Sequence, residues 1–242
     1  MDYNFIEVDN LNVGYSKLGS GEDLILLHGI WSYSRTYLKL LKELSKNYTV
    51  YALDLPGFGK SSDPNEVWSF EDYSEFLYKF VKKLKLNKFT LVAHSGAGGI
   101  AIIFANNHPL SLNRLVLISA FGVEGVSYFT FAKAILVKSF VELFSLRGLL
   151  SLSYTISGAI YNFFKHGTYI FKLIRENKNK NMTEHIRNIK VNTLLLWGDK
   201  DEYFPLSHAR KFNQLIKKSE LKILKGNHDL CLMYPEKIKE FL

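Results

Sequence analysis

Cysteine is almost missing, with Cys231 the only one in 242 residues. That excludes an internal disulfide framework and a four-cysteine zinc site, and it fits a reducing, cytoplasmic setting. The opening stretch MDYNFIEVDN has neither a basic n-region nor an apolar h-region, so no secretory signal is expected. No dinucleotide glycine fingerprint and no His/Cys/carboxylate cluster at metal-ligand spacing occur, so neither cofactor nor metal is expected. Repeats and low-complexity tracts are lacking too, which sets aside solenoids and disordered linkers.

Charge of one sign is scarce except in one place. The formal net charge is +8, but residues 1–120 carry 12 Lys+Arg against 12 Asp+Glu, and residues 191–242 carry 9 against 7. Residues 121–190 carry 10 against 4. No compact basic module of a nucleic-acid binder accompanies this excess, so no nucleic-acid partner is expected. A basic middle segment fits contact with an anionic membrane surface or an acidic carrier protein, or simply a solvated face.

What the chain does have is a steady alternation of strand-like and helix-like runs. Ile6–Val8 and Val13–Leu18 read as an antiparallel pair turning near Asp9–Asn10. Leu24–Leu27, Tyr48–Leu53, Phe89–Ala93, Arg114–Ser119, Thr193–Trp197 and Leu221–Leu224 are short apolar runs of the kind parallel strands show when both faces are buried. Helical patterns separate them over Arg35–Ser45, Phe70–Leu84, Gly98–Asn107 and Leu206–Lys217, the second opened by a loose capping box, Ser69 with Asp72. The expected fold class is α/β, a mostly parallel doubly wound sheet. In such sheets ligands sit beyond the carboxyl ends of the strands.

Residues 121–188 break the alternation. Phe121–Phe171 holds 12 aromatic residues, among them Tyr128, Phe129, Phe131, Phe140 and Phe144, and Gly148–Phe164 runs 17 residues without a charge. That length only touches the lower limit of a membrane span, and Ser, Thr and Tyr interrupt it. Leu149, Leu152, Ile156, Ile160 and Phe163 make an apolar stripe at helical spacing. The expectation is a helical cap insertion over a core formed by 1–120 and 189–242, its stripe packing on the core or roofing the site.

The chemistry-bearing residues follow strand ends. FTLVAHSGAGG, Phe89 to Gly99, reads as strand, sharp turn and helix with Ser95 at the turn. Such a turn needs small residues two positions either side, and Ala93 and Ala97 stand where G-x-S-x-G has glycine. By itself Ser95 is either a nucleophile or a helix-capping serine. A nucleophilic serine needs a base and the base a carboxylate, and the loops after later strands supply Asp201 and His228. The order Ser95, Asp201, His228 is the one expected on this kind of sheet. Asp199 competes as the acid. His28 and Asp54 read as loop-forming, Cys231 as a packed residue, and His94 as turned away from Ser95.

These motifs resemble the α/β-hydrolase fold superfamily, in its cap-bearing serine esterase, lipase and C–C hydrolase branch. The residues that carry the resemblance are Leu26-Leu27-His28-Gly29, Asp54-Leu55-Pro56-Gly57-Phe58-Gly59-Lys60-Ser61, Ala93-His94-Ser95-Gly96-Ala97, Trp197-Gly198-Asp199-Lys200-Asp201 with Pro205, and Gly226-Asn227-His228. It covers about 1–120 and 189–242, and the insertion matches no familiar cap. The resemblance implies Ser95 as nucleophile, His228 as base, Asp201 as its acid, and an oxyanion hole from the backbone N–H groups of Ile30 and Gly96. Trp31, next in the chain, is read either as substrate-binding at the acyl pocket or as packed under the cap. The expected activity is hydrolysis of a small-molecule carboxylic ester or thioester with an apolar acyl group. The same residues would serve a C–C bond hydrolase or a cofactor-free peroxidase, and the two alanines leave room for a non-catalytic ligand-binding protein. A serine at 95 disfavours dehalogenase and epoxide-hydrolase relatives, and His28-Gly29-Ile30-Trp31 lacks the Gly-Gly-Pro-Gly run of proline iminopeptidases.

Overall fold

The computed structural model describes residues 2–123, 136, 140 and 142–242. Strands β1 (Asn4–Val8), β2 (Leu11–Leu18), β3 (Glu22–Leu27), β4 (Tyr48–Leu53), β5 (Phe89–His94), β6 (Leu112–Ile118), β7 (Thr193–Gly198) and β8 (Ser219–Leu224) form one sheet in the order β1-β2-β4-β3-β5-β6-β7-β8. β1, β2 and β4 pair antiparallel; every pairing from β4 through β8 is parallel. The first turn is where the sequence puts it, with Asp9 and Asn10 at φ +51° and +62°. Two successive left-handed residues match the right-handed twist of a two-residue hairpin.

Alternate side chains of the central strands feed two cores. Ile25, Leu27, Leu91, Ala93, Leu117 and Leu195 point to one face, which α2 (Phe70–Lys83), α3 (Ala97–Asn107) and α7 (Leu206–Leu215) cover. Leu24, Leu26, Val92, Val116, Leu194 and Leu196 point to the other, under α1 (Leu38–Leu44), α8 (Leu230–Met233) and α9 (Pro235–Lys239). Burial on both faces is why these strands carry no polar alternation. The Ser69–Asp72 capping box forms in full, with Ser69 Oγ accepting from Asp72 N and Asp72 accepting from Ser69 N. Strand order reverses at β3, whose neighbours are β4 and β5. The crevice beyond the carboxyl ends of β3 and β5 is therefore the topological switch point.

Between β6 and β7 come α4 (Leu146–His166), α5 (Tyr169–Asn177) and α6 (Thr183–Arg187). Among the described residues no helix is long and apolar enough to cross a membrane. Tyr128, Phe129 and Phe131 of the aromatic-rich stretch lie outside the described residues. In α4 the apolar stripe departs from expectation. Leu149, Ile156, Ile160 and Phe163 are 44%, 48%, 52% and 49% exposed, and of the stripe Leu152 and Ile156 line a cavity at the strand ends. The buried face is instead small and polar: Gly148, Ser151, Gly158, Asn162 and His166.

The cause lies in what α4 lands on. It crosses loops with unpaired backbone groups, and those need partners more than they need grease. Asn162 accepts from Gly59 N at 2.8 Å and donates to Ser32 O at 3.0 Å. His166 Nε2 meets Gly59 O, and its Nδ1 pairs with Asp63. Thr155 and Ser151 donate to Asp229 Oδ2 at 3.1 and 3.4 Å. At Gly158 a Cβ would come 2.9 Å from Thr36 Oγ1, so the smallest residue sits at the closest crossing. α5 fastens the far end with Ile170 and Leu173 in the core and Asn177 bridging Phe70 N and Trp68 O.

Asn162→Leu should strip two buried backbone groups of their partners and destabilise the chain by on the order of 3 kcal/mol. Urea unfolding at constant m-value measures it; a loss under about 1 kcal/mol would mean water replaces the amide.

Candidate active site

β5 ends at His94, α3 begins at Ala97, and Ser95 makes the turn at φ +57°. A left-handed serine is strained by one to a few kcal/mol (roughly) and needs surrounding structure to hold it. Three backbone bonds do: Ser95 N donates to Ile118 O at 3.1 Å, and Ser95 O accepts from Gly98 N at 2.9 Å and Phe121 N at 3.0 Å. The space is so tight that a Cβ at Gly98 would fall 2.6 Å from Ala120 Cβ. Ala93 and Ala97 fit there as fully buried methyls, which explains why alanine suffices where the family pattern has glycine.

Ser95 Oγ lies 2.9 Å from His228 Nε2, and His228 Nδ1 lies 3.1 Å from both oxygens of Asp201. A carboxylate only accepts, so Nδ1 carries the proton and Nε2 presents a lone pair to the serine hydroxyl. Asp201 Oδ1 also accepts from Tyr203 N at 3.0 Å and Phe204 N at 2.9 Å. Burial pushes the Asp201 carboxyl up, but the adjacent His228 and these hydrogen bonds outweigh it and hold it below the usual carboxylate range. The Tyr203 and Phe204 rings flank the imidazole at 4.6 and 5.5 Å, and Trp197 Nε1 pins their loop through Phe204 O at 2.7 Å.

The other candidates have different partners. Asp199 accepts from Gly226 N at 2.9 Å, clipping the β7 loop to the β8 loop. Asp54 accepts from Ser34 N and Lys60 N, both at 2.8 Å, and so organises its turn. His28 Nε2 accepts from Leu55 N at 3.0 Å and its Nδ1 donates to Gly29 O. Cys231 is fully buried in α8, and burial pushes its thiol well up.

Ile30 and Gly96 adjoin, since a Cβ at Gly96 would fall 2.6 Å from Ile30 Cδ1. Among the described residues neither backbone N–H donates to a protein acceptor. Trp31 follows at φ +82°, an outlying conformation for a bulky side chain. Ser95, His228, Ile30 and Trp31 open on one cavity of about 260 Å³, roofed by Leu152, Thr155, Ile156 and Ala159 of α4 and walled by Phe204 and Leu232.

His94 is the residue the sequence misplaces. It does not turn away from the site: its ring lies 4.9 Å from that of His228 and lines the cavity. Tyr37 OH accepts from Gly29 N at 2.9 Å and lies 2.6 Å from His94 Nδ1, while His94 Nε2 reaches His228 O at 3.1 Å. One line of hydrogen bonds thus joins the Gly29–Ile30 loop, the serine turn and the His228 loop. No spacing rule could find it, because Tyr37, His94 and His228 meet only in three dimensions. Ligand atoms of His94, His228 and Asp229 lie within 4.8 Å of one another. Both His94 nitrogens and Asp229 Oδ2 are already engaged, however, so the group reads as a polar brace between loops and α4.

Burial, with His228 adding to it, pushes His94 down to about 4. A histidine lowered in the folded state is stable while neutral, and the unfolded chain binds the extra proton first. Stability should therefore be full above pH ~6.5 and fall by about 3 kcal/mol toward pH 4 on account of His94. The slope of melting temperature against pH, compared between wild type and His94→Gln, measures this share. An unchanged slope would show that His94 is not the group responsible.

Comparison with known proteins agrees with this fold. An uncharacterized protein of Mycobacterium tuberculosis is 37% identical over 105 residues, 43% of this chain and 31% of that protein, so the chain spans under a third of its length there. A monoacylglycerol lipase of Bos taurus is 22% identical over all of this chain and 81% of its own. The solved structure of a serine hydrolase involved in carbazole degradation superposes with a TM-score of 0.85 at 24% identity, covering 99% of this chain and 96% of that one, a likeness of fold. The alpha/beta hydrolase fold family matches residues 24–166, more than half of the sequence, and the chain belongs to it.

Proposed function

We propose that this chain is a serine hydrolase that cleaves a carboxylic ester or thioester bearing an apolar acyl group. The observation that carries the reading is the unbroken line Ser95 Oγ, His228 Nε2, His228 Nδ1, Asp201, ending on an apolar cavity beside two unengaged amides. His228 takes the hydroxyl proton as Ser95 Oγ bonds to the substrate carbonyl carbon. The carbonyl oxygen becomes an oxyanion, received by the N–H groups of Ile30 and Gly96 at the start of α3. As the tetrahedral species collapses, the alcohol or thiol leaves with the proton from His228. Water then repeats the cycle, is deprotonated by His228, and releases the acid and Ser95. Asp201 keeps the imidazole in one tautomer and stabilises its cation. The buried, lone Cys231 supports a cytoplasmic setting, and the whole-chain likeness to a monoacylglycerol lipase supports an acyl ester.

A fluorophosphonate probe should label wild type rapidly and Ser95→Ala not at all. Ser95→Ala, His228→Ala and Asp201→Asn should each cut turnover by several orders of magnitude, about 10⁴ for the acid, and their losses should not add. Asp199→Asn should stay within a few-fold, since among the described residues its carboxylate serves Gly226 N alone. Ester hydrolysis by Ser95→Ala at the wild-type rate would end the proposal.

The cavity lies just below the roughly 300–1,000 Å³ of sites that hold drug-sized ligands, so it suits a medium acyl chain. Each methylene buried is worth up to about 0.8 kcal/mol. We expect kcat/KM on aryl esters to climb from acetyl to octanoyl, and Ala159→Phe, which fills the roof, to reverse that order. Strict preference for acetyl in wild type would contradict the acyl assignment.

A further inference from the structure

Helix α4 turns its polar side inward and its apolar side out. Leu146, Leu149, Leu150, Ile160 and Phe164 share the outer face, with Phe164 82% exposed. Some 18 residues at 1.5 Å rise make this face about 27 Å long. It holds no charged residue from Gly148 to Phe164, and Arg147 and Lys165 bracket it. An exposed apolar patch of this extent marks an interaction site.

We propose that this face is a docking surface for an anionic phospholipid bilayer, on which the enzyme lies while its acyl substrate passes to Ser95. The passage of substrate rests on the ester-hydrolase reading; the docking does not. Three features favour lipid over protein. The exposed serine hydroxyls are turned back on the helix, Ser153 Oγ to Leu150 O at 2.8 Å and Ser157 Oγ to Tyr154 O at 3.1 Å. Serines satisfied within their own helix offer a protein partner little to bond, and they suit a solvent that cannot hydrogen-bond. The charge along this segment is one-sided: between residues 146 and 180 Glu176 is the only acid, while Glu236 reaches across from α9 to Arg147. Among the described residues Lys172 and Arg175, exposed beside Phe171, have no carboxylate partner. A second copy would bring the same positive rim, whereas anionic headgroups complement it. Finally, a run of rings links the face to the cavity. Phe164 packs on Phe163 at 5.8 Å, Phe163 on Phe171 at 6.5 Å, and Phe171 on Trp31 at 5.2 Å, and Trp31 lines the cavity with Ser95. An amphipathic helix in this setting lies in the headgroup plane.

The test is sedimentation with vesicles of phosphatidylglycerol and phosphatidylcholine, against phosphatidylcholine alone, at low and high salt. Ser95→Ala protein should bind the anionic vesicles as wild type does, more weakly in high salt. Ile160→Glu/Phe164→Glu should abolish binding, and Lys172→Glu/Arg175→Glu should weaken it by about ten-fold or more. Both double variants should hydrolyse a water-soluble short-chain ester at the wild-type rate yet lose turnover of a long-chain ester presented in anionic vesicles. A wild type that stays in the supernatant overturns the proposal, as does binding indifferent to both double variants. So does a solution dimer that Ile160→Glu/Phe164→Glu splits, or an acidic acyl carrier protein that binds where vesicles do not. If Ser95→Ala binds vesicles but wild type cleaves no ester, docking stands and the hydrolase reading falls.

Discussion

The left-handed backbone at Ser95 is the constraint from which the rest of the site follows. A strand buried on both faces must hand over to a helix within two residues, and only a reversal at one position lets α3 fold back against β5 and β6. That reversal lifts the hydroxyl clear of the sheet edge toward the loops after β3, β7 and β8. It also demands near-absence of side chain around it, which Gly98 and Ala120 satisfy by touching. The strain is held by three backbone bonds, two of them to the end of β6 and the loop after it, so the position of Ser95 depends on the sheet being complete on that side.

How much of this the sequence discloses depends on the range of the physics involved. Strands buried on both faces announce themselves through unbroken apolar runs, and Leu24–Leu27 or Thr193–Trp197 need no partner to be recognised. The Asp9–Asn10 turn and the Ser69–Asp72 cap are local and equally legible. Ser95, Asp201 and His228 are legible because each follows a strand end, and in this sheet strand ends converge. Asp201 and Asp199 are separated only by their partners: one meets His228, the other Gly226 N.

What stayed hidden is whatever is decided between distant segments. The tie from Gly29 through Tyr37 and His94 to His228 uses residues 57 and 134 positions apart. The orientation of α4 is a second case. Periodicity reports that a helix has two faces and leaves open which one is buried; the usual default of apolar inward assumes an apolar surface beneath. Here the surface beneath is a set of loops with backbone groups to satisfy, and Asn162, Thr155 and His166 answer to those. The surplus of aromatics in the insertion reads differently once its polar residues have been claimed by the core.

The order of strands has a consequence in time. Ser95 and His228 are 133 residues apart, and β7 and β8, which carry Asp201 and His228 to the site, are the last two strands of the sheet. Contacts of such separation are the late, slow ones in a folding chain. If Ser95 and His228 act as proposed, a chain with β5 and β6 paired would own its serine turn yet lack the base that activates it, and a partly folded copy would be inert.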